Sequence, residues 1–213
     1  MSYSRSNPSP RYTELQKLYR AMHEQGDNLL GVPAERTFDG RSLPPQVARI
    51  KRLIVLTGAR IILDYGCGKG GQYGPRKVVD ETGGAWPGVI DYWDADEVVC
   101  YDPAYAPYST LPEGRFDGVI SIDVLEHCPE EDIPWIVGEI FGFAARFVFA
   151  NVACYPARKR LPNGENAHCT IRPAAWWRTI FEGAGIGRPE LKWEVWLASL
   201  QDGRHVEEKI GSS

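Results

Sequence analysis

Apolar positions follow two different rhythms along this 213-residue chain. Over residues 12–25, Leu15, Leu18, Tyr19 and Met22 recur at helical spacing, and over 45–56 Val47, Ile50, Leu53 and Ile54 do the same. Each stretch predicts an amphipathic helix with one buried face. Gly58 stands where the second should stop, because glycine takes the left-handed cap conformation without steric cost. Residues 26–45, with Gly31, Pro33, Gly40 and Pro44-Pro45, predict a loop that either covers a site or merely connects two elements. From residue 61 the rhythm changes. Ile61-Ile62-Leu63, Val98-Val99-Cys100-Tyr101 and residues 118–122 and 147–152 are short continuous apolar runs, the pattern of strands buried on both faces. Helical patterns over 133–144 and 173–182 separate the later runs, and Trp176-Trp177 with Phe181 read as the buried face of the second. The alternation predicts an α/β architecture, a doubly wound and mainly parallel sheet with helices on both faces. Trp193, Val195 and Leu197 then alternate, and Asp202-Gly203 is a two-residue turn, so residues 191–210 predict a terminal antiparallel hairpin.

Composition narrows the setting. With 43% hydrophobic residues the chain supports one domain with a sizeable core. Its expected organisation is a Ser/Pro-rich mobile tail at 1–10, an N-terminal helical cap at 11–58 and the sheet-bearing core at 59–213. A net charge of −4 offers no general attraction to nucleic acid or to an anionic membrane, which favours a small or neutral partner. Five cysteines without a C-x-x-C pair indicate neither a disulfide framework nor a zinc knuckle, and so a reducing compartment. The N-terminus lacks an apolar core, and no apolar run is long enough to cross a bilayer. The expectation is a soluble, cytoplasmic protein.

The chemistry begins at Asp64-Tyr65-Gly66-Cys67-Gly68-Lys69-Gly70-Gly71, directly after the first strand. Glycines there permit a strained turn and let the backbone approach a ligand closely. Gly66, Gly68 and Gly71 also satisfy the dinucleotide pattern G-x-G-x-x-G, so the glycines alone do not choose a cofactor. Asp64 discriminates, because an acid at the strand's end suits the ammonium of an amino-acid cofactor and would repel a pyrophosphate. Asp102, at the tip of the second strand, is placed to accept the hydroxyls of a ribose, or else to form a turn before Pro103. It lies about 30 residues beyond the glycines, whereas a nicotinamide fingerprint has its acid at about 20. Asp91 meets the shorter spacing and keeps an NAD-dependent oxidoreductase as an alternative.

Taken together, Ile62-Leu63-Asp64-Tyr65-Gly66-Cys67-Gly68-Lys69-Gly70, Asp102 and Phe116-Asp117-Gly118-Val119-Ile120-Ser121-Ile122-Asp123-Val124-Leu125-Glu126-His127 resemble, in order, three motifs of class I S-adenosylmethionine-dependent methyltransferases. The resemblance spans residues 61–185. It implies a Rossmann-like fold and S-adenosyl-L-methionine as cofactor, with Gly66, Gly68 and Gly70 against its methionine part, Asp64 at its amino end, Asp102 on its ribose and Asp123 among the remaining contacts. The chain departs from the family between Asp102 and Phe116, where a dozen residues including Pro103, Pro107 and Pro112 replace a helix and strand. The third edge strand is therefore expected to be missing or vestigial, and the adenine contact falls to Pro103, Ala104 or Tyr105.

Asp123, Glu126 and His127 follow the fourth strand at spacings that place side chains on one side of a helical turn, and His168 follows the fifth strand in a loop able to fold over the same edge. Two histidines and two carboxylates suit a divalent cation. The pattern resembles the E-x-x-E-H…H arrangement of small-RNA 2′-O-methyltransferases and of ubiquinone-pathway O-methyltransferases, with Asp123 in place of the first Glu. That likeness implies Asp123, Glu126, His127 and His168 as metal ligands, while His127, aided by Glu126, is also read as a metal-free general base. No Asn/Asp-Pro-Pro-aromatic block follows the fourth strand, which argues against methylation of base amines. The sequence thus predicts O-methylation of a small-molecule or saccharide hydroxyl. The alternatives are RNA ribose 2′-O-methylation, which the Arg158-Lys159-Arg160 turn would permit by meeting a phosphate, and a cofactor-binding but non-catalytic partner subunit.

Overall fold

The computed structural model describes residues 2–212. Helix α1 (Pro10–Gln25) precedes the loop at 26–45, and α2 (Val47–Thr57) leads into β1 (Ile61–Tyr65). Beyond the glycine turn come a two-strand ribbon, β2 (Val78–Val79) and β3 (Ala85–Trp86), a short helix α3 (Val89–Trp93) and β4 (Glu97–Tyr101). The remainder is β5 (Phe116–Ile122), α4 (Ile133–Phe143), β6 (Ala144–Ala153), α5 (Ala174–Gly185), β7 (Lys192–Gln201) and β8 (Arg204–Gly211). The main sheet has the order β4-β1-β5-β6-β7-β8. All of its pairings are parallel except β7 with β8.

The continuous apolar runs are strands covered on both faces. Along β1, Ile62 packs with α2 and α3 on one side while Leu63 packs with α4 and α5 on the other, and Val119 with Ile120 and Phe147 with Val148 divide in the same way. This is the Rossmann-like, doubly wound sheet that the pattern predicts. The expected missing edge strand is missing: after Tyr101 the chain makes one 3-10 turn, Ala106–Tyr108, and enters β5 directly, leaving β4 at the edge. The terminal hairpin turns on Asp202 (φ 49°) and Gly203 (φ 73°), both left-handed as a two-residue hairpin turn requires. Gly58 ends α2 at φ 65°, its N–H on the Ile54 carbonyl.

Two features differ from expectation. Residues 2–9, ahead of α1, are no mobile tail: the Arg5 guanidinium binds the Glu139 carboxylate and the hydroxyls of Tyr65 and Tyr101 at 2.8 Å each. Ser9 caps α1 and donates its N–H to Asp132, so the segment is docked on α4 through polar groups that an apolar pattern does not register. The stretch at 11–58 is not a single cap. Helix α2 belongs to the sheet layer, with Ile50 and Ile54 against Ile62, Phe147 and Phe149, whereas α1 and the loop at 26–45 roof the C-terminal ends of the strands. Between β1 and β4, where the pattern predicts no helix, stand the ribbon β2–β3 and α3, too short to announce themselves by periodicity.

Candidate active site

The chain winds outward from β1 to β4 on one side and then crosses back to β5 on the other, so the strand order reverses between β1 and β5. Ligand crevices of open α/β sheets lie at such a reversal, outside the carboxyl ends of the strands. Here a cavity of about 1010 Å³ opens at that point, floored by Asp64, Gly66, Gly68 and Asp102 and extending to Asp123, His127 and His168.

The floor is a tight turn. Gly66, Gly68 and Gly70 have φ of 94°, 60° and 66°, left-handed values that glycine alone takes without strain. A Cβ on Gly66 would stand 2.3 Å from Val124 Cγ2. Replacing Gly66 by Ala should therefore cost about 3 kcal/mol, from the positive φ and the overlap together, read as a shifted urea midpoint in an unfolding titration. Gly66 and Cys67 donate their N–H groups to the Tyr101 carbonyl, Gly68 donates to Asp102, and Gly70 donates to Cys67. Gly70, expected among the cofactor contacts, does not line the cavity; the space a side chain would need there is taken by Tyr108 and Cys100.

Of the two acids of the floor, Asp64 is buried and Asp102 is largely so. Asp64 Oδ2 accepts from Tyr73 Oη at 2.7 Å and Gln72 Nε2 at 3.1 Å, and burial, opposed by those bonds and helped by Asp102, pushes its pKa up to about 6. Asp102 accepts from the Gly68 and Ala104 N–H groups at 3.0 and 2.9 Å, and burial raises it likewise to about 6. Among the described residues, neither carboxylate has a Lys or Arg partner. Asp91, the acid that a nicotinamide site would need, is exposed on α3 and does not line the cavity.

At the other end, the side-chain ligand atoms of Asp123, His127 and His168 lie within 4.8 Å of one another. Asp123 Oδ1 is 3.9 Å from His127 Nε2 and 3.9 Å from His168 Nε2, while Oδ2 accepts from Ser42 Oγ at 2.7 Å. Each imidazole is oriented through its other nitrogen. His127 Nδ1 is 2.9 Å from the Ala167 carbonyl, to which Tyr19 also donates, and His168 Nδ1 is 2.6 Å from the Tyr155 carbonyl. A carbonyl can only accept, so both Nδ1 atoms carry a proton and both Nε2 atoms turn towards Asp123. Donors across one ion with bonds of about 2.1 Å stand roughly 3–4 Å apart, which matches the two 3.9 Å separations from Asp123. His168 is returned to the cluster by Asn166, whose Oδ1 accepts from the N–H groups of Ala157 and His168. Burial opposes ionisation of Asp123, yet the facing His127 and His168 and the Ser42 hydroxyl hold it well below the usual carboxylate range. Burial likewise works against a charge on His127, and Asp123 and Glu126 outweigh it, raising its pKa. His168 is lowered by burial and by His127.

Glu126, expected as a ligand and as a catalytic group, stands apart. Asp123 lies ahead of the 3-10 turn Leu125–His127 in left-handed backbone (φ 59°), so the α-helical spacings of three and four do not hold, and Glu126 turns into the core while His127 faces Asp123. The Glu126 side chain is fully buried, accepts from the Ala153 N–H and does not line the cavity, and burial with neighbouring Asp123 pushes its pKa up to about 8. Residues that no motif singled out complete the site. Tyr19 and His23 on α1 and Phe38 and Ser42 on the loop at 26–45 all line the cavity, as do Arg158 and Lys159. Helical spacing marked Tyr19 only as a packing residue, and the other roof positions carry no local signal. Arg160 turns away to the Gly164 carbonyl, and Trp177 and Phe181 are wholly buried in the core.

Fold and crevice together define an open, doubly wound α/β protein with a ligand site at the strand reversal. No protein-family model and no curated protein matches the sequence. Among solved structures, the chain is similar to the magnesium protoporphyrin IX methyltransferase of Synechocystis PCC 6803 with bound SAH, at 14% identity and a TM-score of 0.49, covering 95% of this chain and 96% of that one. A likeness at that level carries no weight for what this chain binds or does. Among the described residues no helix is long and apolar enough to cross a membrane.

Proposed function

We propose that this chain is an S-adenosylmethionine-dependent O-methyltransferase acting on a hydroxyl of a small molecule or saccharide. The observation that carries this reading is the pair of carboxylates, Asp64 buried and Asp102 largely so, on a glycine turn with no Lys or Arg beside them among the described residues. Buried charge is costly unless compensated, so the floor calls for a ligand that brings positive charge and hydroxyl donors. A dinucleotide brings the opposite. Its pyrophosphate needs free N–H groups at the start of a helix, whereas here the N–H groups of Gly66, Cys67, Gly68 and Gly70 are all engaged and only a 3-10 turn follows.

S-adenosylmethionine would supply an electrophilic methyl group on a sulfonium centre. Asp64 would hold its amino end and Asp102 its ribose, while Gly66 and Gly68 leave the floor bare of side chains. In the same cavity His127 is set to take the proton of an acceptor hydroxyl at Nε2, because Nδ1 is committed to the Ala167 carbonyl. Asp123, His127 and His168 also form a donor set suited to a divalent ion, which would lower the pKa of a hydroxyl bound to it. Glu126 holds β6 through the Ala153 N–H. A second reading, methylation of an RNA ribose 2′-hydroxyl, draws support from Arg158 and Lys159 in the cavity wall, where they could meet a phosphate.

Calorimetric titration with S-adenosylhomocysteine and with NAD tests the cofactor. Binding of S-adenosylhomocysteine without NAD binding is expected, and tight NAD binding with no response to S-adenosylhomocysteine would sink the proposal. A methyl-transfer screen over glycans, phenols and short RNAs then separates the two acceptor readings.

A further inference from the structure

His23 lines the cavity but belongs neither to the cofactor floor nor to the metal-type cluster. Its imidazole, 5% exposed, lies between Phe38 at 4.4 Å and Tyr105 at 4.9 Å, nearly parallel to the latter. Nδ1 is buried without a partner, and Nε2 stands 4.0 Å from Asp102 Oδ2. Lys69, within the glycine turn, binds the His23 carbonyl at 2.8 Å and so ties the end of α1 to the floor. Burial, with Lys69 nearby, lowers the imidazole pKa to about 4, so the ring is neutral. A phenylalanine would pack as well between two aromatic rings without stranding a nitrogen. The packing therefore does not explain a histidine.

The spacing to Asp102 does. Four ångströms is too long for a direct hydrogen bond, but an oxygen about 2.8 Å from each atom bridges them at an angle of roughly 90°. A hydroxyl group suits such a bridge, since it donates to the carboxylate and accepts from an N–H. With the proton on Nε2 the stranded Nδ1 is an unfilled acceptor rather than an orphaned donor, the milder of the two defects.

We infer that His23 is a cofactor-binding residue: from α1 it donates through Nε2 to the ribose hydroxyl that Asp102 accepts, closing the nucleoside end of the pocket. This rests on the proposed reading of the floor. It makes α1 part of the cofactor site rather than a cover laid over it, with Phe38 and Tyr105 holding the ring in place.

The test is calorimetric titration of the full chain with S-adenosylhomocysteine and with its 2′-deoxy and 3′-deoxy forms. His23→Phe should bind S-adenosylhomocysteine about tenfold more weakly than wild type, the loss of one hydrogen bond. His23→Gln, which keeps an N–H near the same point, should recover most of that loss. Removal of the bridged hydroxyl should cost wild type about tenfold more than it costs His23→Phe. The deoxy series on wild type also serves if the Phe variant folds poorly: equal binding of all three ligands would overturn the assignment. Tight wild-type binding that His23→Phe leaves within twofold overturns the role of His23 alone, whereas wild type that binds no S-adenosylhomocysteine overturns the proposed function with it.

Discussion

Asp102→Ala should weaken S-adenosylhomocysteine binding by about 100- to 1,000-fold in calorimetric titration. Hydrogen bonds to a charged acceptor are worth about 1.5–3 kcal/mol each, and a ribose offers two hydroxyls to this carboxylate. The substitution also frees the Gly68 and Ala104 N–H groups that Asp102 holds, loosening the turn that carries the cofactor. The empty protein should respond in the opposite sense. The pKa of Asp102 is raised from 3.8 to about 6, so folding disfavours its ionised form. Its contribution to stability is fully favourable below about pH 4 and is lost as the pH rises through 6, an amount on the order of 3 kcal/mol. Asp102→Asn should accordingly raise the melting temperature of the empty protein at pH 8 and flatten its rise between pH 7 and 4. In wild type the affinity for S-adenosylhomocysteine should fall below about pH 6, by up to about tenfold per unit, and more gently in the variant. Unchanged affinity in Asp102→Ala would leave Asp102 as no more than a turn residue before Pro103.

The other large effect concerns the opposite end of the cavity. His168→Ala removes one of three donors, and its zinc or manganese affinity, measured by competition with a chromophoric chelator, should drop by more than about 100-fold. Losing only a ligand's hydrogen-bond partner already costs about 10- to 100-fold. Cofactor binding should be unaffected, because Asp64 and Asp102 sit at the other end of the pocket. Glu126→Gln supplies the contrast. The buried carboxyl, with its pKa near 8, is largely protonated at neutral pH, and the amide is its near-isostere, so metal affinity should hold within a few-fold. Equal losses in both variants would return Glu126 to the ligand set. Turnover that is indifferent to metal and abolished in His127→Ala would leave His127 as the base.

Much of the molecule was legible in the sequence. Continuous apolar runs at 61–63, 98–101, 118–122 and 147–152 identified strands because a strand covered on both faces has no polar face to show. Asp202-Gly203 and Gly58 were legible because left-handed backbone restricts residue choice at single positions. Local rules failed where a residue's environment comes from elsewhere in the chain. The expectation that Glu126 and His127 lie on one side with Asp123 assumed a continuous helical turn, and the left-handed backbone of Asp123 ahead of the 3-10 turn removed that premise. Docking of residues 2–9 depends on Arg5 meeting Glu139, 134 positions away, which no local window contains.

By itself, then, the order of residues determined an α/β sheet without its third edge strand, closed by a hairpin, with acids at the ends of β1, β4 and β5. Those features follow from period, steric permission and turn chemistry, all properties of neighbouring residues. Tertiary structure alone decided that α1 is a roof, that His127 and His168 offer their Nε2 atoms to one carboxylate, and that His23 faces Asp102. Orientation at these points is set by backbone carbonyls and aromatic rings from distant segments, and burial then raises or lowers each charge, so the chemistry of the site appears only once the chain has closed around it.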